Sequence, residues 1–437
     1  MFFFLEILGS PLNAIGISLG IVCVFLVSIT CFCVFVRKRT QNNGINKQLP
    51  ESKPLSSTSM SSYSDSKVTK RQMSNLSKAF CYLKQVMEGQ PDKLDADVDL
   101  KEQLHHLPYN SSREIGRNQF EIGEEIGKGN FGTVCKGKIN GLFESDSQTT
   151  VAIKSVHGST RESAMGDFLG EIKIMSHTDP HVNLVSMIGA CTSELSTDGS
   201  AWLLVEFCHH GDLKSYLIEN EIKIISGKKE DSINSRCLIK WSYDIANGMQ
   251  YLAKNQIMHG DLAARNVVLD DDPLEPGGLI AMVADFGLSK RFYGNVTYEK
   301  ETRLLVPWKW MALEYLTRDI FTLNSDVWSF GVLFWEIFSF GRTPYGQQGY
   351  DELLEQLENG YRLQCPKQVS SIDSWNPKQL YQTVSGACFV ADPLERASFQ
   401  KIVTILEKEL STEELEHYKK NKDNYQLASR QKMRHLR

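Results

Sequence analysis

The sequence predicts an α+β fold with a β-rich first lobe and a helical second lobe, preceded by a single transmembrane helix. An uncharged apolar run occupies residues 12–36, short β-branched runs follow residue 114, and long helical patterns with many aromatic residues come after them. Hydrophobic residues form 41% of the 437-residue chain and charged residues 23%, a mixture typical of a globular protein with a sizeable core.

The apolar run from Leu12 to Val36 is long enough to cross a bilayer. As a helix it would measure about 37 Å, against a hydrocarbon core of about 30 Å. A buried soluble helix and a cleaved signal peptide are the alternatives, but the first seldom lacks a polar face and the second needs a positive region where only Glu6 stands. The basic cluster at 37–39 follows the run, which predicts an extracellular stub at 1–11 and a cytoplasmic remainder of the chain at the cell membrane.

Gly16 and Gly20 form a GxxxG spacing inside the predicted span. This spacing lets two helices approach closely and predicts a homodimer through these glycines. Glycine is common in membrane helices, so a span without such a contact is the alternative.

Net charge and cysteine usage exclude some classes of function. The net charge of −5 gives no electrostatic footprint for nucleic acid. The ten cysteines form no CxxC pair or dense framework, so the sequence predicts neither a zinc site nor a disulfide scaffold.

The remaining divisions follow from composition. Residues 37–113 are predicted to be a cytoplasmic juxtamembrane linker, because a serine-rich stretch there has little to bury, although Leu76 to Met87 has the pattern of an amphipathic helical segment. A single two-lobed domain is predicted at 114–410, and the polar residues 411–437 are predicted to form a flexible C-terminal tail.

The domain opens with a glycine-rich segment, GKGNFGTVCKG, between two strand patterns. Its glycines are Gly127, Gly129 and Gly132. A hairpin of this type lets backbone N–H groups approach phosphate oxygens without an intervening side chain. A dinucleotide-binding fingerprint has the same glycine spacing, but there a helix follows, whereas here a strand follows.

Lys154 lies on the alternating apolar strand TVAIKSV and is predicted to point into the space that the hairpin covers. A buried lysine is costly without a partner, and Glu171, in the helical segment GDFLGEIKIM, can supply one. Two unrelated surface charges are the alternative.

Polar residues recur further along the chain, in HGDLAARN and VADFG. Asp261 and Asn266 are five residues apart on one tight loop, and Asp285 ends an apolar strand. Two carboxylates and an amide beside a glycine-rich hairpin suit Mg²⁺ and a triphosphate, because Mg²⁺ prefers oxygen ligands together with substrate phosphates.

These motifs, in this order, resemble the protein kinase family and, within it, the tyrosine kinase branch. The loop reads Ala263-Ala264-Arg265 where serine/threonine kinases usually have a lysine, and VPWKWMALE and DVWSFGVLFWEIFSFGRTPYG are also similar to tyrosine kinases. With the membrane span, the resemblance is to the receptor type, and the short stub is similar to its short-ectodomain group. The resemblance implies the two-lobed protein kinase fold.

The resemblance also implies the chemistry: ATP as phosphoryl donor, Mg²⁺ or alternatively Mn²⁺ as the metal, and tyrosine-bearing proteins as substrates, the chain itself included. Asp261 is implied as the base, Lys154 as the group that grips the phosphates, Glu171 as the residue that orients Lys154, and Asn266 and Asp285 as metal ligands. The implied catalytic set is Asp261, Lys154, Glu171 and Arg265. The residues implied to bind ATP are Gly127, Lys128, Gly129, Phe131, Gly132, Val134, Ala152, Lys154, Val268 and, in the hinge after the gatekeeper Val205, Glu206 and Cys208.

The same resemblance implies structural roles for Asp326 and for the pair Glu314–Arg396. Tyr293 and Tyr298 fall in the implied activation segment and are candidate autophosphorylation sites, with exposed tyrosines of no role as the alternative. Phosphotyrosine-binding adaptors are implied partners.

The chain departs from the family pattern at three places. Gly260 stands where the family has the arginine that reaches the activation-segment phosphate, and Leu313 stands where it has a proline. Neither replaces the base or a metal ligand, so we expect the transfer chemistry to survive. The segment DDDPLEPGGL predicts an extended turn between two strands. A catalytically weak kinase-like scaffold that binds signalling partners and a serine/threonine kinase are the alternative functions.

Overall fold

The computed structural model describes residues 83–94, 106–128, 132–142, 147–156, 162–197, 199–226, 235–285, 306–367 and 377–435. The predicted span at 12–36 with Gly16 and Gly20, the hairpin residues Gly129 and Phe131, and the tyrosines Tyr293 and Tyr298 lie outside these residues. Within the described ranges, no helix combines the length and apolar character that crossing a bilayer requires.

A five-stranded antiparallel sheet forms the first lobe. Its strands are β1 (Phe120–Lys128), β2 (Thr133–Asn140), β3 (Gln148–Val156), β4 (Met187–Cys191) and β5 (Ala201–Glu206), and they lie in the order β1-β2-β3-β5-β4. Alternation along β3 buries Val151 and Ile153 on one face against Ile139 and Leu204, and leaves Ala152 and Lys154 on the other.

Helix α1 (Glu162–His177) belongs to the same lobe and carries Glu171. Part of the predicted linker packs on it. Residues 83–88 are helical, as predicted for this stretch, and the ammonium of Lys173 donates to the Val86 carbonyl at 2.6 Å. Leu83 and Met87 are buried in the main core, so this stretch is docked rather than solvated.

The second lobe is helical and has an aromatic core centred on Trp328, Phe334 and Tyr381. Its helices are α2 (Leu213–Ser226), α3 (Ser235–Lys254), α4 (Leu313–Arg318), α5 (Leu323–Phe338), α6 (Tyr350–Glu358), α7 (Pro377–Cys388), α8 (Phe399–Glu407) and α9 (Thr412–His435). A two-stranded antiparallel ribbon, β6 (Val267–Asp271) and β7 (Leu279–Val283), completes it. The turn at 272–278 between β6 and β7 is the extended turn that the sequence predicted.

The tail departs from its prediction, because α9 runs through most of the segment expected to be flexible. Ser411 and Glu414 cap each other: the Ser411 N–H donates to the Glu414 carboxylate at 2.6 Å, and the Glu414 N–H donates to the Ser411 hydroxyl at 3.2 Å. This reciprocal cap satisfies N–H groups that a helix start leaves unpaired. Leu415 and Tyr418 pack against the core and hold the helix on the second lobe.

Candidate active site

Lys154 joins two carboxylates that come from distant parts of the chain. Its ammonium donates to both oxygens of Glu171, at 2.9 and 2.8 Å, and to Oδ1 of Asp285 at 2.8 Å. Strand β3, helix α1 and the end of β7 therefore meet at one point. The structure brings together three of the residues that the sequence placed at the site.

Electrostatics keep this lysine charged. Burial opposes the charge on Lys154, but the Coulombic attraction of Asp285 and Glu171, together with their hydrogen bonds, outweighs it and raises the pKa above its ordinary value. The amine is therefore an ammonium at neutral pH. One ammonium faces two carboxyl groups, and burial raises the pKa of Glu171 to about 7 against the attraction of Lys154.

Asp285 has an unusual backbone. Its φ is 61°, in the left-handed region that most non-glycine residues avoid, although aspartate tolerates it better than most. The following residue, Phe286, is outside the described part of the chain. This conformation turns the chain at the end of β7, where the Asp285 carboxylate reaches Lys154.

The carboxylate of Asp326 supports the backbone of the loop that carries Asp261. The carboxylate of Asp326 accepts from the His259 N–H at 2.7 Å and from the Gly260 N–H at 2.9 Å. His259 also bonds through Nε2 to the Ala284 carbonyl at 3.0 Å. The loop is thus tied both to α5 and to the segment that ends at Asp285, so these contacts fix the two carboxylate-bearing segments relative to each other.

Gly260 has a φ of 80°, which glycine adopts without steric cost. An L-residue at this position would place its Cβ against the following carbonyl, at a cost of roughly 1–2 kcal/mol. The departure from the family pattern at this position therefore removes an arginine but also relieves backbone strain beside Asp261.

Asp261 is oriented by two neighbours on its own loop. The Asn266 side chain donates to the Asp261 carbonyl at 2.7 Å and to its carboxylate at 2.8 Å, and Arg265 donates to the other carboxylate oxygen. Burial raises the pKa of Asp261 to about 6, against the opposing charge of Arg265. The side chain is thus a carboxylate at neutral pH with a basicity above that of an ordinary aspartate.

Arg265 makes a second contact that the sequence did not reveal. Its guanidinium stacks over the ring of Trp310, 4.6 Å from the centroid. The buried carboxylate of Glu336 accepts from the Trp310 indole at 2.8 Å and from the Ala264 N–H at 2.9 Å. Trp310 and Glu336 therefore hold the loop through Arg265 and the Ala264 backbone.

The described part of the glycine-rich hairpin fits closely on β3. Gly127 pairs with Val134, and Lys128, which is exposed, pairs with Thr133. A Cβ on Gly132 would lie 2.1 Å from the Ser155 carbonyl oxygen, so a side chain cannot be placed there. The packing of the hairpin on β3 therefore requires glycine at this position.

The remaining predicted binding residues share one face of the sheet or the adjoining segments. Val134 is the cross-strand partner of Lys154, and Val205 is the partner of Ala152, so their side chains project to the same side. Val268 lies half-buried on β6. Val134, Ala152 and Val205 therefore lie on the side of the sheet that carries Lys154.

The end of β5 supplies Glu206 and the segment after it supplies Cys208, and both are half-buried. The Glu206 N–H donates to the Ser186 carbonyl at 3.1 Å, so that N–H is already used. Its carboxylate accepts from the Ser186 N–H at 2.6 Å. The backbone of this hinge is therefore anchored to the loop before β4.

The residues near Asp261 suit a divalent metal. The side-chain amide of Asn266 donates through its nitrogen to Asp261, so its oxygen is the atom that can serve as a metal ligand. Asp285 offers a carboxylate. Carboxylate and amide oxygens together with phosphates are the ligands that Mg²⁺ prefers. Asn266 and Asp285 are the residues that would hold such an ion.

Two predicted structural features are confirmed. Arg396 and Glu314 form a bidentate ion pair with both distances at 2.9 Å, and both side chains are fully buried. Asp326 supports the loop as described above. Both contacts lie in the second lobe.

Comparison with known protein families gives one match that covers more than half of the chain. Residues 120–406 match the family described as "Protein tyrosine and serine/threonine kinase". The matched stretch begins with β1 and ends within α8, so it includes every described site residue and leaves out α9.

Curated proteins similar to this chain carry receptor names. The vascular endothelial growth factor receptor 3 of Coturnix coturnix is 30% identical over 71% of this chain, which covers 25% of that protein. The tyrosine kinase receptor Cad96Ca of Drosophila melanogaster is 33% identical over 69% of this chain and 37% of its own length. The mast/stem cell growth factor receptor Kit of Gallus gallus is 29% identical over 70% of this chain and 37% of its own length. The chain thus spans well under two thirds of the length of these relatives.

Proposed function

We propose that this chain, which belongs to the protein tyrosine and serine/threonine kinase family, transfers the γ-phosphate of ATP to tyrosine hydroxyls of proteins. One observation carries the proposal: the Lys154 ammonium is shared by Glu171 and Asp285, next to a loop that presents Asp261 and Asn266. Phosphoryl transfer depends mainly on positioning and on charge stabilisation, and this arrangement supplies both.

Each side chain has one task in this proposal. Lys154 binds phosphate oxygens, and Glu171 holds it in place. Asp261 accepts the proton of the tyrosine hydroxyl, with Arg265 fixing its carboxylate. Asn266 and Asp285 would hold Mg²⁺, or Mn²⁺ in its place, which when bound would neutralise charge on the phosphates.

The nucleotide is proposed to lie between the lobes. The Glu206 carbonyl and the Cys208 N–H receive the adenine edge, because the Glu206 N–H is already paired. Apolar contacts to the ring come from Val134, Ala152 and Val268. The hairpin residues Gly127, Lys128, Gly129, Phe131 and Gly132 cover the phosphates.

Tyrosine specificity, membrane anchoring and signalling partners are part of the same proposal. The loop sequence Ala263-Ala264-Arg265 and the relative named a tyrosine kinase receptor support tyrosine as the acceptor. The uncharged run at 12–36 and the receptor names of the relatives support a single-pass protein at the cell membrane, with its N-terminus outside and its kinase domain in the cytoplasm. Dimerisation through Gly16 and Gly20, autophosphorylation at Tyr293 and Tyr298, and phosphotyrosine-binding adaptors as partners complete the proposal.

The test uses the full chain in detergent micelles with Mg-ATP and a tyrosine-containing polypeptide. Asp261→Asn is the matched control, because it keeps the size of the side chain and removes its basicity. We expect phosphate on tyrosine from the wild-type chain and a rate on the order of 10²–10⁴-fold lower from the variant.

The same assay separates the alternatives. Equal rates from the wild-type chain and Asp261→Asn, both at background, would favour the catalytically weak scaffold. Phosphate found only on serine or threonine after acid hydrolysis of the product would favour a serine/threonine kinase.

A further inference from the structure

Helix α9 runs from the base of the second lobe to the hinge. Four of its residues, Glu414, His417, Asn421 and Tyr425, are spaced three or four positions apart and therefore lie along one face. Together they contact three places in the domain: α3 through Glu414, the extended turn through His417 and Asn421, and the hinge through Tyr425. The helix acts as a connection about 17 Å long between Glu414 and Tyr425, at about 1.5 Å per residue.

The N-terminal end of α9 is fixed to α3. The guanidinium of Arg236 pairs with the Glu414 carboxylate, and it also donates to the Glu409 carbonyl at 2.7 Å. Glu414 is therefore shared between this ion pair and the reciprocal cap with Ser411. The start of α9 therefore cannot swing away without breaking charged contacts.

The middle of the helix is fixed to the extended turn between β6 and β7. Asp272, at the start of that turn, accepts from His417 at 2.9 Å, from Asn421 at 2.8 Å and from Lys240 at 2.8 Å. Burial disfavours its charge, but the three donors outweigh burial and hold the pKa of Asp272 well below its ordinary value. The extended turn thus presents an ionised carboxylate that captures α9.

Further along α9, Tyr425 reaches the hinge. The Tyr425 hydroxyl donates to Oε1 of Glu206, the same oxygen that accepts from the Ser186 N–H, and it also bonds the Ser186 hydroxyl at 2.6 Å. Burial and the adjacent Glu206 charge raise the pKa of Tyr425, so the hydroxyl keeps the proton that it donates. Tyr425 closes a small network around the residue that begins the hinge.

We propose that Tyr425 is a positioning residue for the nucleotide site: through its hydrogen bond to Glu206 it fixes the hinge backbone that receives the adenine. The inference rests on the proposed function, because it takes the Glu206–Cys208 segment as the adenine-binding edge. The extended turn and α9 therefore act together. Asp272 fixes the position of the helix, and Tyr425 holds Glu206 at the hinge.

Two observations argue against simple packing as the whole role of α9. A cavity of about 620 Å³ lies between α3, the extended turn and the helix, so the helix does not seal a continuous core there. Tyr418, on the same helix, packs against Tyr243 with ring centroids 5.2 Å apart, and its buried hydroxyl has no hydrogen-bond partner among the described residues. Tyr425 thus differs from Tyr418 by its bonds to the hinge.

These two tyrosines give a matched pair of variants of the full chain. Tyr425→Phe removes the hydroxyl that contacts Glu206, and Tyr418→Phe removes a hydroxyl without a partner. We measure the Kd of Mg-ADP by calorimetry, the KM for ATP and kcat separately, and the melting temperature. Because a hydrogen bond to a charged group is lost and only part of its effect reaches the ligand, we expect Tyr425→Phe to raise Kd and KM about three- to tenfold. We expect kcat within about twofold of wild type.

Tyr418→Phe is expected to leave Kd, KM and kcat unchanged. A double-mutant cycle with Glu206→Gln sharpens the test, because two residues that act through one bond give non-additive changes in Kd. An unchanged Kd in Tyr425→Phe, or an equal change in Tyr418→Phe, would overturn the inference. The Kd of Mg-ADP is measured without catalysis, so absence of phosphoryl transfer in the wild-type chain counts against the proposed function alone.

Discussion

The ion pair Lys154–Glu171 in the β-rich lobe and the pair Arg396–Glu314 in the helical lobe are built from the same kinds of charge, but their surroundings differ. Arg396 and Glu314 are fully buried, and Arg396 also donates to the carbonyls of Val390 at 3.0 Å and Asn324 at 2.7 Å. The Lys154 side chain is 18% exposed and is shared with Asp285, whose side chain is 48% exposed.

The difference is one of charge balance. The Arg396 pair has one positive and one negative group, with its remaining donors taken up by carbonyls, so it has nothing further to bind. The Lys154 cluster has two carboxylates for one ammonium and opens to solvent. Breaking a closed and balanced pair leaves a buried charge without a partner, so such a pair has a structural role, whereas an open cluster rich in carboxyl groups is suited to a ligand that brings positive charge, such as a divalent metal ion bound to phosphate.

The largest predicted effect comes from removing the cation of the open cluster. Lys154→Met should lower the rate of phosphate transfer on the order of 10²–10³-fold, because the ammonium that stabilises the phosphates is lost while the apolar stem is kept. The melting temperature should change by only a few degrees, because Glu171 can take up a proton and remain buried without a charge. Initial rates and thermal unfolding measure the two effects. A variant that keeps more than about a tenth of the wild-type rate would contradict the assignment.

Replacing the cation of the closed pair by methionine should mainly lower the stability of the fold. Arg396→Met leaves the Glu314 carboxylate buried without its partner, at a cost of about 3–5 kcal/mol in the free energy of unfolding. For a domain of this size that corresponds to a melting temperature lower by roughly 10 °C. Lys401→Met, an exposed position on α8, is the control and should be neutral. If Arg396→Met melts like the control, the pair does not carry stability.

The pH dependence of the rate tests the open site more finely. The pKa of Asp261 is raised to about 6 by burial, and a base must be deprotonated to accept a proton. Activity should therefore be low below pH 6, rise through about 6 and level off near neutral pH. Arg265→Met removes the charge that lowers this pKa, so the midpoint should move to higher pH. A midpoint that moves down, or that stays fixed, would argue against Asp261 as the base.

The smallest predicted effect concerns the loop that joins the site to its support. Gly260→Ala places a Cβ at a φ of 80°, with an expected loss of about 1–2 kcal/mol and a melting temperature lower by a few degrees. The Asp326 contacts use backbone N–H groups and should persist, so activity should stay within about tenfold of wild type. Gly386→Ala, on an exposed helical position with open space for a methyl group, is the control and should not lower the melting temperature. Equal melting temperatures for the two variants would show that a side chain at position 260 does not strain the left-handed backbone.

Much of the site could be predicted because its parts are local in sequence. The strand around Lys154, the loop from His259 to Asn266 and the strand end at Asp285 each carry their own pattern, and the family match confirms the kinase resemblance. The pairing of Lys154 with Glu171 followed from the cost of burying a lysine alone. The sharing of Lys154 with Asp285 could not be derived, because nothing in the sequence gives the distance between those segments.

Contacts made by aromatic residues across the fold were not predicted. Trp310 reaches Arg265 from 45 positions away, and no local pattern marks which tryptophan lies beside a given arginine. The helix α9 was missed for a different reason: its composition is polar, although the Ser411–Glu414 capping pattern was a readable signal of a helix start. Its partners, Asp272 and Glu206, are distant in sequence, so the polar face of the helix resembled a solvated one.

The position of α9 has a practical consequence for protein production. A polypeptide that ends at residue 406, where the family match stops, would lack the helix that covers α3. Arg236 would lose the Glu414 carboxylate and the Glu409 carbonyl, Asp272 would lose its donors His417 and Asn421, and the ring of Tyr243 would lose its contact with Tyr418. We expect such a fragment to be less soluble and to bind nucleotide more weakly than the longer chain, so expression should extend at least through the last turn of α9.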